Sequence, residues 1–151
     1  MQKAIDQIHF HYLTDPFYFP DRSFMKLFIA ELLVKEKRKL DQINYIFCHD
    51  EYLLDINRQY LNHDTYTDII TFELSGKNEP LLADVYISIP RLRENARAFE
   101  IPFITELRRV MIHGALHLCG YRDKSKEEKR QMTEMENFYL LRYKVSRETN
   151  P

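Results

Sequence analysis

Two histidines and one aspartate are the residues of this sequence best suited to bind a metal ion. His113 and His117 stand four positions apart, and Asp123 follows shortly afterwards. Each residue of an α-helix turns about 100°, so side chains at i and i+4 lie above one another and both rings can reach one ion. Gly120 permits the left-handed backbone that commonly ends a helix, after which a short loop can return Asp123 to the same face. The spacing therefore predicts that His113, His117 and Asp123 bind one divalent ion.

Three protein ligands leave at least one position for water or substrate, which is typical of a catalytic metal site rather than a closed structural one. Two imidazoles and a carboxylate make Zn²⁺ the first choice, while Ni²⁺, Mn²⁺ and Fe²⁺ stay open because ligand type alone does not separate them. Cys119 lies about 200° around the helix from His117 and is predicted to be a small buried apolar residue instead. The alternative is that both histidines are hydrogen-bonded residues beside the buried stripe of a helix.

Composition indicates one globular domain. The chain has 151 residues, of which 44% are hydrophobic, enough for a substantial core, and we predict a single domain over residues 1–151. The two cysteines are far apart and predict no disulfide framework. Neither a signal peptide nor an apolar run long enough for a bilayer is recognisable, so we expect a cytoplasmic protein without a membrane role.

The charge is unevenly distributed around a net value of −1. Residues 1–90 contain 9 basic and 14 acidic residues, whereas residues 91–151 contain 13 basic and 9 acidic residues. The basic part holds the predicted metal site, and a positive field beside a metal suits a polyanion such as RNA. Ordinary solvated helix faces that happen to be basic explain the charge equally well.

Hydrophobic periodicity predicts the elements that position these residues. Strands are predicted at residues 5–13, 43–48, 68–72 and 84–89, and helices after Pro20, at residues 53–60, at residues 91–99 and after Pro102. The helix after Pro102 carries both histidines and an apolar stripe of Ile104, Leu107, Met111 and Leu118. A capping-box pattern at Ser125 begins a final helix whose buried side is predicted to contain Met132, Met135, Phe138 and Leu141. The prediction is an α+β domain in which a mixed sheet of about four strands packs against about five helices.

Three separated segments resemble the YbeY family of bacterial endoribonucleases. Residues 113–123 are similar to the family signature His-Gly-x-Leu-His-Leu-x-Gly-Tyr-Asp-His. Asn57 and Tyr60, followed by residues 67–72, resemble its Asn-x-x-Tyr and Thr-Asp-Val-Leu-Ser-Phe segments, and residues 83–88 resemble its Gly-Asp-Ile-x-Ile-Ser strand. The resemblance implies a small α+β domain with a zinc-like ion that cleaves single-stranded RNA. It also implies roles in small-subunit ribosomal RNA 3′-end maturation and ribosome quality control, with ribosomal RNA and the small ribosomal subunit as partners.

The sequence departs from the family signature at the third ligand. Arg122 and Asp123 occupy the positions of the family's Asp-His, so a carboxylate replaces the third imidazole. The exchange keeps three ligands and lowers the charge of the site by one. An acidic oxygen should favour a hard divalent ion slightly more than a third imidazole would.

A second departure concerns the residues that would contact RNA. The family's arginine after Asn-x-x-Tyr aligns with Leu61. Arg58, about one helical turn away, and the nearby His63 are therefore the candidates for contacting phosphate or transferring a proton. Arg58 is explained more simply by a surface ion pair with Asp55, which makes His63 the better candidate.

Metal-assisted hydrolysis of an RNA phosphodiester is the leading functional hypothesis. Attack by the ribose 2′-hydroxyl stays open, and the product end group would distinguish the two routes. A metalloprotease is a second hypothesis, weakened by Gly114, because such proteases carry a glutamate general base directly after the first histidine. The third is a non-enzymatic RNA-binding or ribosome-assembly factor whose ion pins the Asp123 loop.

Overall fold

The computed structural model describes residues 2–63 and 65–149, so both ends of the predicted domain, residues 1 and 151, lie outside it. Within these ranges the chain folds as four strands and six helices. The strands are β1 (Ile8–Leu13), β2 (Leu40–Cys48), β3 (Ile69–Glu73) and β4 (Leu81–Ser88). The helices are α1 (Gln2–Asp6), α2 (Arg22–Lys35), α3 (Asp50–Leu61), α4 (Ile89–Phe99), α5 (Phe103–Leu118) and α6 (Lys126–Thr149).

The four strands form one mixed sheet in the order β1-β2-β4-β3. Strands β1, β2 and β4 run parallel, with Ile8 beside Ile43 and Tyr45 beside Val85. Strand β3 is antiparallel to β4, with Thr71 opposite Val85, and forms an edge of the sheet. The predicted α+β class with a mixed four-stranded sheet is confirmed.

The main core fills the space between one face of the sheet and the helices α2, α5 and α6. Alternate residues of the central strands point into it, and Tyr45, Phe47 and Val85 are fully buried. Because successive side chains of a strand point to opposite faces, the residues between them face away from this core. On that other face α3 covers a smaller apolar cluster that includes Cys48 and Ile70.

Helix α5 lies in the middle of the molecule and is buried on most of its sides. Leu107, Met111 and Leu118 of the predicted stripe are buried, as that prediction requires. A Cβ atom at Gly114 would stand 2.9 Å from Ile69 Cδ1 and 3.2 Å from a methyl carbon of Val85. The absence of a side chain at Gly114 therefore lets α5 lie directly against β3 and β4.

The predicted first strand begins too early. Residues 2–6 form the short helix α1, in which the Gln2 side-chain amide donates to Asp6, and the strand starts only at Ile8. Ile8 pairs with Ile43, and the preceding residue Gln7 already donates its side-chain amide to the carbonyl oxygen of Leu40. The Gln7 N–H donates to the Ala4 carbonyl oxygen at 3.3 Å, so the chain before Ile8 closes a helical turn instead of extending the ladder with β2.

The predicted buried side of α6 is partly wrong. Met132 is buried, but Phe138 is 43% exposed and Leu141 is 63% exposed, and Tyr139 and Tyr143 are buried instead. The predicted residues recur every three positions and drift around the helix, whereas the buried residues Met132, Glu136, Tyr139 and Tyr143 follow the helical period of 3.6 residues. The hydroxyl of Tyr139 donates to the Glu36 carboxylate in the interior, which explains why this aromatic ring points inward while its neighbour does not.

Within the described part of the chain, no helix combines the length and the apolar composition that crossing a bilayer requires.

Candidate metal centre

The C-terminal end of α5 delivers the third predicted ligand as the sequence suggests. Cys119 ends the helix, and Gly120 adopts the left-handed region with a φ of 104°. The Gly120 and Tyr121 N–H groups donate to the carbonyl oxygens of His117 and Leu116, at 3.0 Å and 3.1 Å. These bonds close the helix and reverse the chain direction. The chain is thereby set to bring Asp123 back over α5.

The three predicted ligands converge on one point. Asp123 Oδ2 lies 3.3 Å from His113 Nε2 and 3.1 Å from His117 Nε2. One ligand atom from each residue lies within 4.8 Å of the other two. The two imidazole rings stand nearly perpendicular with their centroids 4.6 Å apart. Among the described residues this is the one cluster of at least three histidine, cysteine or acidic side chains arranged to hold a metal ion.

A buried glutamate on α6 fixes the orientation of the first ring. His113 Nδ1 lies 2.5 Å from Glu136 Oε2, and Glu136 is only 4% exposed. A carboxylate can only accept, so Nδ1 carries the hydrogen and Nε2 keeps its lone pair in the neutral imidazole. Metal-binding histidines commonly donate the other ring N–H to a carboxylate in this way.

The tautomer of His113 bears on whether the site can bind a cation. With Nδ1 protonated toward Glu136, the lone pair of His113 Nε2 faces a carboxylate oxygen of Asp123 at 3.3 Å. Two acceptors do not attract one another, so this approach is favourable only with a proton or a metal ion between the two atoms. The borderline N, N, O donor set suits a divalent transition metal. The residues therefore fit a metal ion bound by His113, His117 and Asp123.

Glu136 is itself held by a buried ion-pair network. Arg109 donates from Nη1 to Glu136 Oε1 at 2.9 Å, and from Nε and Nη2 to the fully buried Glu106 at 2.8 Å and 2.7 Å. Burial alone would raise the pKa of the Glu136 carboxyl, but hydrogen bonds and charge from His113 and Arg109 hold that pKa below its ordinary value. Glu136 therefore stays ionised beside the ring that it orients.

One side of the centre is open to solvent, because the side chains of His113, His117 and Asp123 are 16%, 27% and 38% exposed.

A further carboxyl, Asp68, lies directly before β3 and accepts a hydrogen bond from the Asn95 amide at 3.4 Å. Burial raises the pKa of Asp68, while the charges of His113 and Arg109 oppose this change.

Comparison with known proteins assigns the chain to a family. The pattern of the family described as Endoribonuclease YbeY matches residues 20–144. The chain belongs to the YbeY family. An Endoribonuclease YbeY from Flavobacterium psychrophilum is 50% identical over 117 residues, which cover 78% of this chain and 83% of that protein. One from Flavobacterium johnsoniae is 41% identical over 138 residues, which cover 91% of this chain and 98% of that protein.

A solved structure shares the fold. The solution structure of a Thermotoga maritima protein has a TM-score of 0.63 and 26% sequence identity to this YbeY family member, and the match covers 94% of this chain and 93% of that one. The likeness extends over nearly the whole sheet and helix arrangement.

The two predicted substrate residues lie at the end of α3 in this YbeY chain. Arg58 Nη1 lies 3.9 Å from Asp55 Oδ1, and both side chains are well exposed. The surface ion pair that the simpler explanation of Arg58 assumes is therefore present. His63 follows the left-handed Asn62, has an exposed side chain, and donates its N–H to the carbonyl oxygen of Asn57. The cluster of three ligands does not include His63. The roles of Arg58 and His63 stay predictions.

Sequence reasoning did not find the residues behind the first ligand of this YbeY site. Glu136 lies 23 positions from His113, and Arg109 and Glu106 lie on the same helix as His113. No local spacing links α5 to α6, and charged residues on a helix normally indicate a solvated face. The available signal is that Glu136 stands at helical spacing between Met132 and Tyr139, both buried, so it interrupts an otherwise apolar stripe.

Proposed function

We propose that this chain is a metal-dependent endoribonuclease that hydrolyses phosphodiester bonds of single-stranded RNA. The observation that supports this most is the convergence of His113, His117 and Asp123 on one point that is open to solvent on one side. Family membership supports the same reaction class, because the relatives are named endoribonucleases. The family resemblance further favours a cytoplasmic role in small-subunit ribosomal RNA 3′-end maturation and ribosome quality control.

The proposed cofactor is one divalent ion, with Zn²⁺ as the first choice and Ni²⁺, Mn²⁺ or Fe²⁺ as alternatives. When bound, such an ion acidifies a water molecule and neutralises charge on the phosphoryl oxygens. The protein holds the ligands in place: Glu136 fixes the His113 tautomer, and the Gly120 turn holds Asp123 against α5.

The remaining roles concern the RNA itself. His63, or Arg58 in second place, would contact a phosphate or move a proton. His63 lies near a position where relatives often have a basic residue, and Arg58 lies about one helical turn from Leu61, which aligns with the family's arginine. Separate His63→Ala and Arg58→Ala variants should raise KM for RNA and leave the metal content unchanged. A variant that loses neither affinity nor rate would remove that residue from the proposal.

The decisive experiment measures metal content and RNA cleavage on the same preparation. Protein purified without an affinity tag should contain about one divalent ion per chain by elemental analysis. It should cut single-stranded RNA, and His117→Ala should lose both the ion and the cleavage. His49→Ala replaces an exposed histidine outside the cluster and should behave as wild type. Equal residual cleavage by wild type and His117→Ala would assign the activity to a contaminant and refute the proposal.

Thermal melting must accompany these assays, because loss of a metal can unfold a domain and imitate loss of catalysis. The end group of the RNA product decides between attack by water and attack by the ribose 2′-hydroxyl, since only the latter leaves a cyclic phosphate.

A further inference from the structure

A basic surface lies at the end of the sheet where β2 and β4 begin and α2 ends. We call it the lysine groove and define it by the exposed side chains of Lys3, Lys37, Lys39 and Lys77. It consists of two adjoining depressions of about 680 Å³ and about 590 Å³ that share Lys37 and Lys39. The net charge of the sequence segments does not reveal this surface, because all four lysines lie in residues 1–90, where acidic residues outnumber basic ones.

Positive charge in this groove is available to a ligand. Among the described residues that line the larger depression, every charged one is basic. The smaller contains Glu73 and Glu79, and both already have partners: Glu73 forms an ion pair with Arg38 at 2.9 Å, and Glu79 accepts the Gly76 N–H. None of the four lysines forms an ion pair with a described residue. Phosphate groups would supply the missing counter-charges.

The backbone under the lysines is fixed by hydrogen bonds. Lys37 adopts a left-handed conformation with a φ of 61° and donates its N–H to the Val34 carbonyl oxygen at 3.0 Å. The Lys39 carbonyl oxygen accepts the Leu81 N–H at 2.8 Å, which ties the loop to β4. The lysine positions are therefore set by the fold, and the apolar floor between them, which includes Val34 and Pro80, can accommodate a base or a sugar.

Arg38 links the groove to the helix that carries the metal centre. Its guanidinium donates to Glu73 at the end of β3 and, at 2.7 Å, to the carbonyl oxygen of Leu118, the residue after His117. Arg38 itself lines both depressions, so the last turn of α5, which carries His117, adjoins the rim of the groove. A strand that passes the metal centre can continue past Arg38 into the groove.

We infer that the lysine groove binds the phosphates of the RNA strand beyond the cleavage point. The groove then supplies affinity for long RNA, while the metal centre supplies the reaction. This inference rests on the proposed function for the identity of the ligand, but binding can be measured without cleavage.

The test removes three charges from the groove. The groove variant combines Lys37→Gln, Lys39→Gln and Lys77→Gln. This variant and the wild type, both loaded with metal, are titrated into a labelled 2′-O-methyl oligonucleotide of about 20 nucleotides, which is longer than one such site requires. The dissociation constant should rise about tenfold or more at low salt. The slope of log affinity against log salt should fall by about 2, since each phosphate contact with a single strand contributes about 0.7.

A matched control separates a local surface from net charge. The variant Lys26→Gln, Arg97→Gln, Lys144→Gln loses the same charge at residues that line neither depression, and it should bind nearly as wild type. For cleavage, the groove variant should raise KM for the long RNA at unchanged kcat, and its kcat/KM for a substrate of about 4 nucleotides should stay within about twofold of wild type.

Equal weakening by the groove and control variants would overturn the inference, as would an unchanged salt slope in the groove variant. Failure of the wild-type protein to cut any RNA refutes the proposed function instead and leaves the binding result to be judged by itself.

Discussion

At the scale of single residues, one hydrogen bond sets the tautomer and the orientation of the His113 ring. The contact between Glu136 and His113 Nδ1 places the hydrogen on the nitrogen that faces α6 and leaves Nε2 free to face Asp123. Arg109 supports the same carboxylate from its other oxygen. The geometry of the three-residue cluster thus depends on a residue outside it.

Glu136→Gln tests this dependence. The amide keeps the shape but loses the charge that favours the Nδ1 tautomer, so metal affinity should fall about 10- to 100-fold. Competition with a chromophoric chelator measures the effect. Glu134→Gln is the matched control, because Glu134 lies on the same helix, is exposed, and pairs only with Arg130 among the described residues. Equal affinities of the two variants would contradict the proposed orienting role of Glu136.

Asp123→His tests what the carboxylate contributes. A third imidazole removes one negative charge and softens the donor set, so the preference for Mn²⁺ relative to Zn²⁺ should decrease, by about tenfold as an order of magnitude. Parallel titrations with the two ions give the ratio of their dissociation constants. An unchanged ratio would show that Asp123 is not a ligand, and the Asp123→Ala variant provides the reference for a site with two ligands.

Local spacing made the clustering of the three side chains predictable. His113 and His117 share a helix face, Gly120 reverses the chain, and the intervening loop is too short to place Asp123 far away. Glu136 was not predictable in this way, because a contact between two helices depends on packing that no fixed sequence interval encodes.

At the scale of elements, the start of α6 is attached to the loop that carries Asp123. Ser125 and Glu128 form the predicted capping box: the Glu128 N–H donates to Ser125 Oγ at 3.1 Å, and the Ser125 N–H donates to Glu128 Oε1 at 2.9 Å. The cap therefore lies two residues after the proposed ligand Asp123, and the helix begins directly after the cap.

Ser125→Ala should loosen this start. Loss of the cap should lower the free energy of unfolding by about 1 kcal/mol, and metal affinity should decrease because Asp123 is less well positioned. Urea melting and chelator competition measure the two effects. Thr133→Ala, an exposed position within the same helix, should change neither. If metal affinity were unaffected in Ser125→Ala while stability fell, the helix start would serve stability alone.

The elements themselves were predictable where a pattern repeats over many residues. The strands of the central sheet and α5 have repeating apolar residues in the sequence, and most of these residues are buried in the structure. The buried side of α6 was not, because its stripe of Met132, Glu136, Tyr139 and Tyr143 contains a charged residue and two tyrosines. Glu136 bonds to His113, Tyr139 bonds to Glu36, and the Tyr143 ring packs on Phe28, so their burial depends on other elements. The start of the first strand was predicted three residues too early, because Ile5 is a strand-forming residue but lies in the short helix α1, which the alternating pattern does not reveal.

At the scale of the whole molecule, pH acts on stability through buried thiols. Burial raises the pKa of Cys48 to about 12, with the nearby Asp50 adding to the effect. An unfolded thiol ionises near its ordinary value of about 8.5, so above this pH the unfolded chain loses protons that the folded chain retains. Stability is therefore complete below that value and is lost as pH rises toward 12.

Urea melts of wild type and Cys48→Ala at pH 8 and pH 10 check this sign. Both proteins should be less stable at the higher pH, because other buried groups such as Tyr45 also have raised pKa values, but the decrease should be smaller in Cys48→Ala. Equal decreases would show that the Cys48 thiol ionises as readily in the folded protein as in the unfolded chain.

Removal of the metal separates a catalytic ion from a structural one. The main core consists of apolar side chains between the sheet and three helices and does not include the ligands, so EDTA-treated protein should keep its far-UV circular dichroism at 25 °C. Linkage still predicts stabilisation by the ion, about 2.7 kcal/mol at a free concentration 100 times Kd, or about 5–10 °C in Tm for a chain of this size. Asp123→Ala should show little of this zinc-dependent shift. Unfolding of the EDTA-treated wild type at 25 °C would instead favour an ion that serves the fold, and the case for a non-enzymatic factor would then strengthen.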